Sequence, residues 1–162
     1  IMSRTGHSFI KNKLKETEAE LGGEMSGHIF FNDRWYGFDD ALYTGARLLE
    51  IISKTDKTCS EIFAELPDSV STPEINIHFD EQGQQYDAME LLSNSVDFPG
   101  SEINTIDGVR IDFENCWGLV RASNTTPCLV LRFEGDDIDA LNEIKNSFKE
   151  WLETNNIPAK NL

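Results

Sequence analysis

The spacing of apolar residues in the first part of the chain predicts a helix followed by a short strand. Ile10 and Leu14 recur at helical spacing, so a helix is expected over residues 8–20, with Gly22 and Gly23 as its left-handed stop. The run GHIFF after these glycines is typical of a short buried strand. This part of the chain therefore begins as a helix and a strand joined by a polar loop.

Two more helices are expected between residues 39 and 66. Asp39 and Asp40 favour a helix start, because acidic side chains stabilise the positive end of a helix, and an apolar stripe continues to about Ser53. Thr58 and Glu61 stand at the spacing of a capping box and predict a third, short helix. The first half thus has the predicted order helix, strand, helix, helix.

The polar, proline-bounded segment 67–73 is the best linker candidate, and a hinge is expected around residues 71–73. Beyond it the predicted elements are a strand in EINIHF, a helix in YDAMELLSN, a hairpin turning at Asp107 and Gly108, strands in WGLVRAS and CLVLRFE, and a closing helix striped from Ile138 to Leu152. This order predicts an α+β fold in which one antiparallel sheet carries helices on one face.

Composition narrows the classes of partner. The chain of 162 residues has 29 acidic and 14 basic side chains, and a net charge of −15 argues against a non-specific binder of nucleic acid or of an anionic membrane. Three cysteines without CxxC spacing favour reduced thiols. The sequence contains no apolar membrane segment or signal peptide, so a cytoplasmic location is expected. Because Ile1 precedes Met2, the chain is expected to be a processed or truncated piece of a longer protein.

The segment RASNTTP, residues 121–127, is richly polar for a turn between two strands. Arg121 can bind two oxygens of a phosphate, while Ser123, Asn124 and Thr125 offer short donors beside the backbone N–H groups of the turn. The alternative is a polar hairpin turn whose side chains only satisfy backbone groups. Composition does not decide between the two.

The segment GEMSGH, residues 23–28, places three chemically useful side chains in one loop. Glu24 could accept hydrogen bonds from two vicinal hydroxyls, Ser26 could donate or accept one, and His28 could hold or move a proton near neutral pH. The alternative is a glycine-punctuated turn with a histidine that is packed or solvated.

The segment RTGHS, residues 4–8, precedes the first helix. Thr5 or Ser8 could cap that helix, or the free N–H groups at its start could bind a phosphate or polyol with His7 facing the ligand. His78 alternates with apolar strand residues and has no predicted role.

The spacing of the acidic residues indicates no metal site. The acidic groups Asp39-Asp40, Asp56 and Asp136-Asp137 are separated by helices, and each pair fits a helix start better than a cation site. No serine or cysteine stands at a recognisable spacing from a partner base.

Four segments in order, TGHS, GEMSGH, STPEI and WGLVRASNTTP, resemble the C-terminal part of the α-D-phosphohexomutases, and in particular their bacterial phosphomannomutase/phosphoglucomutase group. Met25 and the ending SNTTP fit that group. The resemblance implies that residues 1–70 are the C-terminal part of the third domain, a partial Rossmann-like α/β domain. It further implies that residues 71–162 are the fourth domain, a TATA-binding-protein-like α+β domain.

The same resemblance implies roles for individual residues. The sugar-specificity loop and its surroundings would contribute His7, Glu24, Met25, Ser26, Gly27 and His28, with His28 as the candidate for proton transfer. The phosphate-binding loop, which holds the phosphate that is not transferred, would contribute Arg121, Ala122, Ser123, Asn124 and Thr125.

The implied activity is the interconversion of hexose 1-phosphate and hexose 6-phosphate, with hexose phosphate as substrate, Mg2+ as cofactor and a glucose 1,6-bisphosphate-type intermediate. The family's phosphoserine and magnesium loops have no counterpart in this chain, so the N-terminal domains of the same protein are the implied partner and the chain alone is expected to be inactive. The implied partners include no nucleic acid and no membrane. The alternatives are a stand-alone sugar-phosphate binding module without catalysis and a purely structural domain.

Overall fold

The computed structural model describes residues 1–160 and 162. The chain divides into two compact units, residues 1–67 and residues 68–162. Within the part of the chain that the structure describes, no helix is both long and apolar enough to cross a membrane.

Unit 1 consists of three helices and one small hairpin. Its elements are α1 (His7–Thr17), β1 (Leu21–Gly23), β2 (Ile29–Phe31), α2 (Ala41–Ser53) and α3 (Cys59–Phe63). The two strands are antiparallel, with Leu21 opposite Phe31 and Gly23 opposite Ile29. The predicted order of helix, strand and two helices is confirmed, with β1 as an added strand.

The first helix ends earlier than its glycines suggest. Its C-cap is Glu18, which adopts the left-handed conformation at φ 52. The expectation that Gly22 acts as a helix stop is wrong, because Gly22 lies in β1. A Cβ atom at position 22 would stand 2.9 Å from Cγ2 of Ile10 and 3.3 Å from Cδ2 of Leu14, so glycine allows the hairpin to pack closely on α1.

The other two helices start as their sequences predict. Asp40 caps α2 by accepting a hydrogen bond from the Tyr43 N–H at 2.9 Å. Thr58 and Glu61 form the reciprocal bonds of a capping box at α3. The apolar stripe of α2 is not buried, however: no residue of this helix is buried, and Leu42 is 88% exposed.

Unit 2 is a mixed helix and antiparallel sheet structure, which confirms the predicted α+β class. Its elements are β3 (Val70–Ser71), β4 (Ile75–His78), α4 (Gln84–Asn94), β5 (Glu102–Asn104), β6 (Val109–Asp112), β7 (Cys116–Ala122), β8 (Cys128–Gly135) and α5 (Ile138–Thr154). The strand order is β3-β8-β7-β6-β5, and β4 also pairs with β8.

Residues 67–73 were predicted to be a linker, but residues 70–72 bond to the sheet instead. Val70 and Ser71 pair with β8, and the Thr72 N–H donates to the carbonyl of Phe133 at 2.9 Å. Thr72 Oγ1 in turn accepts the Phe133 N–H at 3.2 Å. These bonds join residues 70–72 to the sheet of unit 2, and the hinge expected around residues 71–73 stays a prediction.

One face of the sheet forms the core of unit 2. Alternate residues such as Val120, Leu131 and Phe133 are fully buried, and α4 and α5 cover this face. Since Val120 faces this core, its neighbour Arg121 lies on the opposite face of β7. The strand period therefore sets the direction of the predicted phosphate-binding side chain.

Candidate functional site

Unit 1 brings together three side chains that the sequence analysis singled out. His7 is the first residue of α1, while Glu24 and His28 flank the tip of the β1–β2 hairpin, which folds back onto that helix. The two histidine rings meet edge to face with centroids 4.4 Å apart. His7, Glu24 and His28 each place one ligand atom within 4.8 Å of the others. Glu24 and His28, which follow His7 by 17 and 21 positions in the chain, thus form one polar cluster with it.

Asp39 is the residue of this cluster that sequence reasoning missed. Its Oδ2 lies 2.6 Å from Nδ1 of His28 and 3.8 Å from Nε2 of His7. Its Oδ1 accepts the Ile29 N–H at 3.2 Å. The hydrogen bond from His28 is the main reason that the pKa of Asp39 is lowered. Asp40 alone is enough to cap α2. The second acidic residue beside it, Asp39, was therefore the feature of the sequence that could have indicated a further role.

The His28–Asp39 pair defines which nitrogen of the imidazole can do chemistry. Asp39 is an acceptor because its carboxyl is held ionised, so Nδ1 of His28 carries the hydrogen and donates it. The lone pair of neutral His28 is therefore on Nε2. This arrangement presents a fixed proton acceptor, oriented by a carboxylate behind it.

The GEMSGH loop is a tight turn. The Glu24 N–H donates to the His28 carbonyl at 2.9 Å, and the Gly27 N–H donates to the Glu24 carbonyl at 3.0 Å. Met25 and Ser26 are therefore at the exposed tip of the hairpin. Backbone geometry thus sets the tip in place while the side chains of Glu24 and His28 remain beside α1.

The N-cap residue of α1 is a glycine and makes no side-chain cap bond. The N-cap is Gly6, so the interpretation of Thr5 or Ser8 as the cap is wrong. The Gly6 N–H instead donates to Oε1 of Glu24. This bond ties the loop to the helix and leaves Glu24 with its second carboxylate oxygen, Oε2, to offer to a ligand.

The RASNTTP turn of unit 2 joins β7 to β8 and is organised by Ser123. Ser123 Oγ accepts the N–H groups of Thr125 at 3.3 Å and Thr126 at 3.2 Å, and the residue is buried. Asn124 and Thr125 are exposed at the tip, and Ala122, the last residue of β7, is half-buried. Ser123 therefore shapes the turn, in keeping with the polar-turn interpretation for this one side chain.

A buried glutamine supports this turn from below. Gln85, which is fully buried, donates from Nε2 to the Ser123 carbonyl at 3.5 Å and accepts the Gly83 N–H at 2.9 Å. Its position in a helical stripe gave no indication of this contact, because the two residues are 38 positions apart.

Arg121 lies next to the hairpin that joins β5 and β6. Its Nη1 is 3.9 Å from Oδ2 of Asp107, and both side chains are mostly buried. Gly108 has φ +80, and a Cβ atom there would stand 2.2 Å from the Val120 carbonyl and 2.6 Å from Cβ of Arg121. Only glycine permits this approach. The sequence predicts the turn but not its contact with Arg121.

Comparison with known proteins places these two units in one family. Residues 1–70 match the model described as phosphoglucomutase/phosphomannomutase, alpha/beta/alpha domain III, and residues 74–150 match that of the phosphoglucomutase/phosphomannomutase C-terminal domain.

Among similar relatives, the phosphomannomutase/phosphoglucomutase of Pseudomonas putida is 53% identical over 152 residues, which are 94% of this chain and 33% of that protein. The phosphoglucomutase of Neisseria gonorrhoeae is 54% identical over 96% of this chain and 34% of that protein. The crystal structure of a phosphoglucomutase/phosphomannomutase family protein from Burkholderia thailandensis superposes with a TM-score of 0.89 at 47% identity, over all of this chain and 34% of that one.

This chain therefore spans about a third of the length of the relatives it matches. It nevertheless matches two consecutive domains of one family over most of its residues. Its fold and its ordered motifs agree with that match. The chain belongs to the phosphoglucomutase/phosphomannomutase family, of which it carries domain III sequence and the C-terminal domain.

Proposed function

We propose that this chain is the C-terminal, substrate-binding part of a phosphomannomutase/phosphoglucomutase. The intact enzyme would be an isomerase that interconverts hexose 1-phosphate and hexose 6-phosphate by phosphoryl transfer through a phosphoserine outside these residues. The names of the relatives support this assignment. The observation that carries it is the His28–Asp39 pair beside Glu24 and His7, a proton acceptor placed next to hydroxyl-binding groups.

In unit 1, we assign the binding of the sugar to His7 and the hairpin tip, residues 24–28. Oε2 of Glu24 would accept a hydrogen bond from a sugar hydroxyl, while Ser26 and the N–H groups around Met25 and Gly27 would hold the ring. Nε2 of His28 would take the proton of the hydroxyl that attacks phosphorus, and Asp39 would stabilise the resulting imidazolium. Asp39 thereby acts as a positioning residue through His28.

In unit 2, we assign the binding of the phosphate that is not transferred to Arg121, Ala122, Ser123, Asn124 and Thr125. Arg121 would bind two phosphate oxygens, and the exposed tip of the turn would add N–H and side-chain donors. Asp107 lies beside the guanidinium and would keep it oriented between turnovers. A phosphate, with more charge and more acceptor oxygens than one carboxylate, would compete with Asp107 for Arg121.

The intact enzyme would require Mg2+ and pass through a glucose 1,6-bisphosphate-type intermediate. The donors that this chain gathers do not suit Mg2+, because two of the three are imidazoles and Mg2+ prefers oxygen ligands. The magnesium ligands would therefore come from the N-terminal domains of the same protein. Other residues of those N-terminal domains would also cover the exposed apolar face of α2.

The free cysteines of this chain support a cytoplasmic location for the enzyme.

Calorimetric titration of the chain with glucose 1-phosphate and mannose 1-phosphate tests the binding assignment. The wild-type chain should bind in the millimolar to micromolar range, and Arg121→Ala should weaken binding at least about tenfold through the loss of charge-assisted bonds. Arg132→Ala is the matched control, since Arg132 lies on the same sheet face two residues from the Arg121 partner Val130. Equal binding by wild type and Arg121→Ala would contradict the assignment.

Activity distinguishes the mutase from the second candidate, a stand-alone sugar-phosphate binding module without catalysis. A coupled assay for glucose 6-phosphate formation should detect no turnover by this chain alone and mutase turnover by the intact polypeptide that contains it. Turnover by the isolated chain would show that the catalytic groups have been assigned wrongly. An intact polypeptide that binds sugar phosphate without turnover would favour the binding module.

A further inference from the structure

We propose that His7, Glu24 and His28 form a binding site for Zn2+, and that the bound ion blocks the sugar site. The three side chains come from the start of α1 and the hairpin tip, and one ligand atom from each lies within 4.8 Å of the other two. Two imidazoles and one carboxylate are a common ligand set for zinc with one open coordination position. Sequence spacing gave no indication of this set, because the fold alone brings these residues together.

The distances require only a small closure. Ligand atoms around a tetrahedral zinc ion, at about 2.0–2.2 Å from the metal, are roughly 3.3 Å apart. The His7 side chain is 53% exposed and that of His28 43% exposed, so each ring has room to move by the ångström or so that is needed. Glu24 can coordinate through Oε2 while Oε1 keeps its bond from the Gly6 N–H. The hairpin therefore needs no rearrangement of its backbone.

Asp39 provides the outer support that histidine ligands of zinc usually have. Its carboxylate accepts the Nδ1–H of His28 at 2.6 Å, which orients the ring and leaves Nε2 for a metal. Such a carboxylate also raises the basicity of the imidazole that it contacts. The same carboxylate lies 3.8 Å from Nε2 of His7 and adds negative charge beside the ion.

Zinc would use the same atoms that the sugar site uses. Under the proposed function, on which this step rests, Nε2 of His28 accepts a proton and Oε2 of Glu24 accepts a sugar hydroxyl. An ion bound to both atoms removes the proton acceptor and one hydroxyl contact together. Zinc should therefore inhibit by competing with the sugar phosphate.

The test is a titration of the 162-residue chain with Zn2+ alone, in competition with a chromophoric chelator and without thiol reductants. Wild type should bind one equivalent with micromolar or tighter affinity. His7→Ala and Glu24→Gln should each weaken binding at least tenfold, and Asp39→Asn should weaken it about 10- to 100-fold. His78→Ala and Cys59→Ser, which change the remaining histidine and the exposed cysteine, should bind as wild type does.

Circular dichroism identifies any variant that fails to fold, and the absorption of four-coordinate Co2+ in the wild-type chain gives a second readout. Wild-type binding that is no tighter than that of His7→Ala, or a Co2+ spectrum typical of six-coordinate ions, would overturn the proposal. Arg121→Ala separates this test from the proposed function, because it should lose sugar phosphate and keep zinc. A chain that binds sugar phosphate but not zinc would refute the metal site alone.

Discussion

The two units differ in how they are stabilised. Unit 2 buries a large cluster of apolar side chains between its sheet and its helices α4 and α5, centred on residues such as Phe133, Phe148 and Leu152. In unit 1 the corresponding cluster among the described residues consists of Ile10, Leu14 and Phe30. The groups that we propose to bind the sugar thus lie on the weakly packed unit, and those proposed to bind the phosphate lie on the well-packed one.

Unit 1 relies instead on polar contacts at its surface. Arg34 forms two hydrogen bonds to Glu50, and Arg47 contacts Asp33 and lies over the Phe31 ring. The Arg34–Glu50 pair is exposed, and exposed pairs contribute little each, because solvent and salt screen them. The β1–β2 hairpin, which carries the proposed sugar site, is therefore held in place by local bonds rather than by a deep core.

The largest effect is expected when the two units are expressed separately. Residues 68–162 expressed alone should fold cooperatively, whereas residues 1–67 alone should not. Unit 1 buries three apolar side chains where unit 2 buries a large cluster, so far less hydrophobic burial is available in unit 1 to offset the entropy of ordering its backbone. Urea unfolding and the dispersion of amide signals measure both outcomes. A cooperative transition in the 1–67 peptide would show that its polar contacts contribute far more than expected.

A smaller effect is expected from one truncation in each core. Phe148 is fully buried and meets the ring of Phe133 edge to face at 5.0 Å, so Phe148→Ala should cost about 3–5 kcal/mol of unfolding free energy. Phe30→Ala removes an equally buried ring from unit 1, where the buried apolar cluster otherwise consists of Ile10 and Leu14, and a site with so small a cluster should collapse more readily. Its loss should be less than half as large. Equal losses in urea titrations of the full chain would contradict the comparison.

A third pair of variants compares turns in the two units. Gly108→Ala should cost about 2–4 kcal/mol, because strain at φ +80 adds to a clash with the Val120 carbonyl. Gly27→Ala in unit 1 has the strain alone, at φ +90 with nothing within 4 Å of the new Cβ, and should cost about 1–2 kcal/mol. Gly100→Ala at φ +84, also without neighbours, is the control within unit 2. A Gly108→Ala variant as stable as Gly100→Ala would mean that the turn moves away from Arg121 at no cost.

The parts of the fold that could be predicted from sequence are those that local chemistry fixes. The capping box of Thr58 and Glu61 and the turn at Asp107 and Gly108 involve neighbours in the chain, and both predictions are confirmed. Strands β7 and β8 were also predicted from the sequence. In the structure, the residues of each strand alternate mostly between buried and half-buried positions.

The rest depended on contacts between distant residues. The Asp39–His28 bond exists because Phe30 and Asp39 form an isolated antiparallel bridge, which no local pattern announces. The strand character of Val70 and Ser71 likewise comes from their pairing with Gly135 and Glu134 of β8, which are 65 and 63 residues away. The residue types of the proposed sugar site were therefore suggested by resemblance, whereas their mutual geometry is visible only in the fold.

The smallest expected effect is the pH dependence of the stability of unit 1. Hydrogen bonds from Arg34 and then Lys54 lower the pKa of Glu50 from 4.5 to about 2. Because its pKa in the folded state lies below that in the unfolded state, Glu50 contributes stability above about pH 4.5 and loses it as the pH falls towards 2. Amide hydrogen exchange in α2 should therefore be faster in Glu50→Gln than in wild type at neutral pH, and the two should converge in acid. High salt should also narrow the difference, and the amides of α5 in unit 2 should not respond to the substitution. A difference that persists at pH 2 would mean that Glu50 acts through packing, and that the weak unit has more of a core than its buried residues indicate.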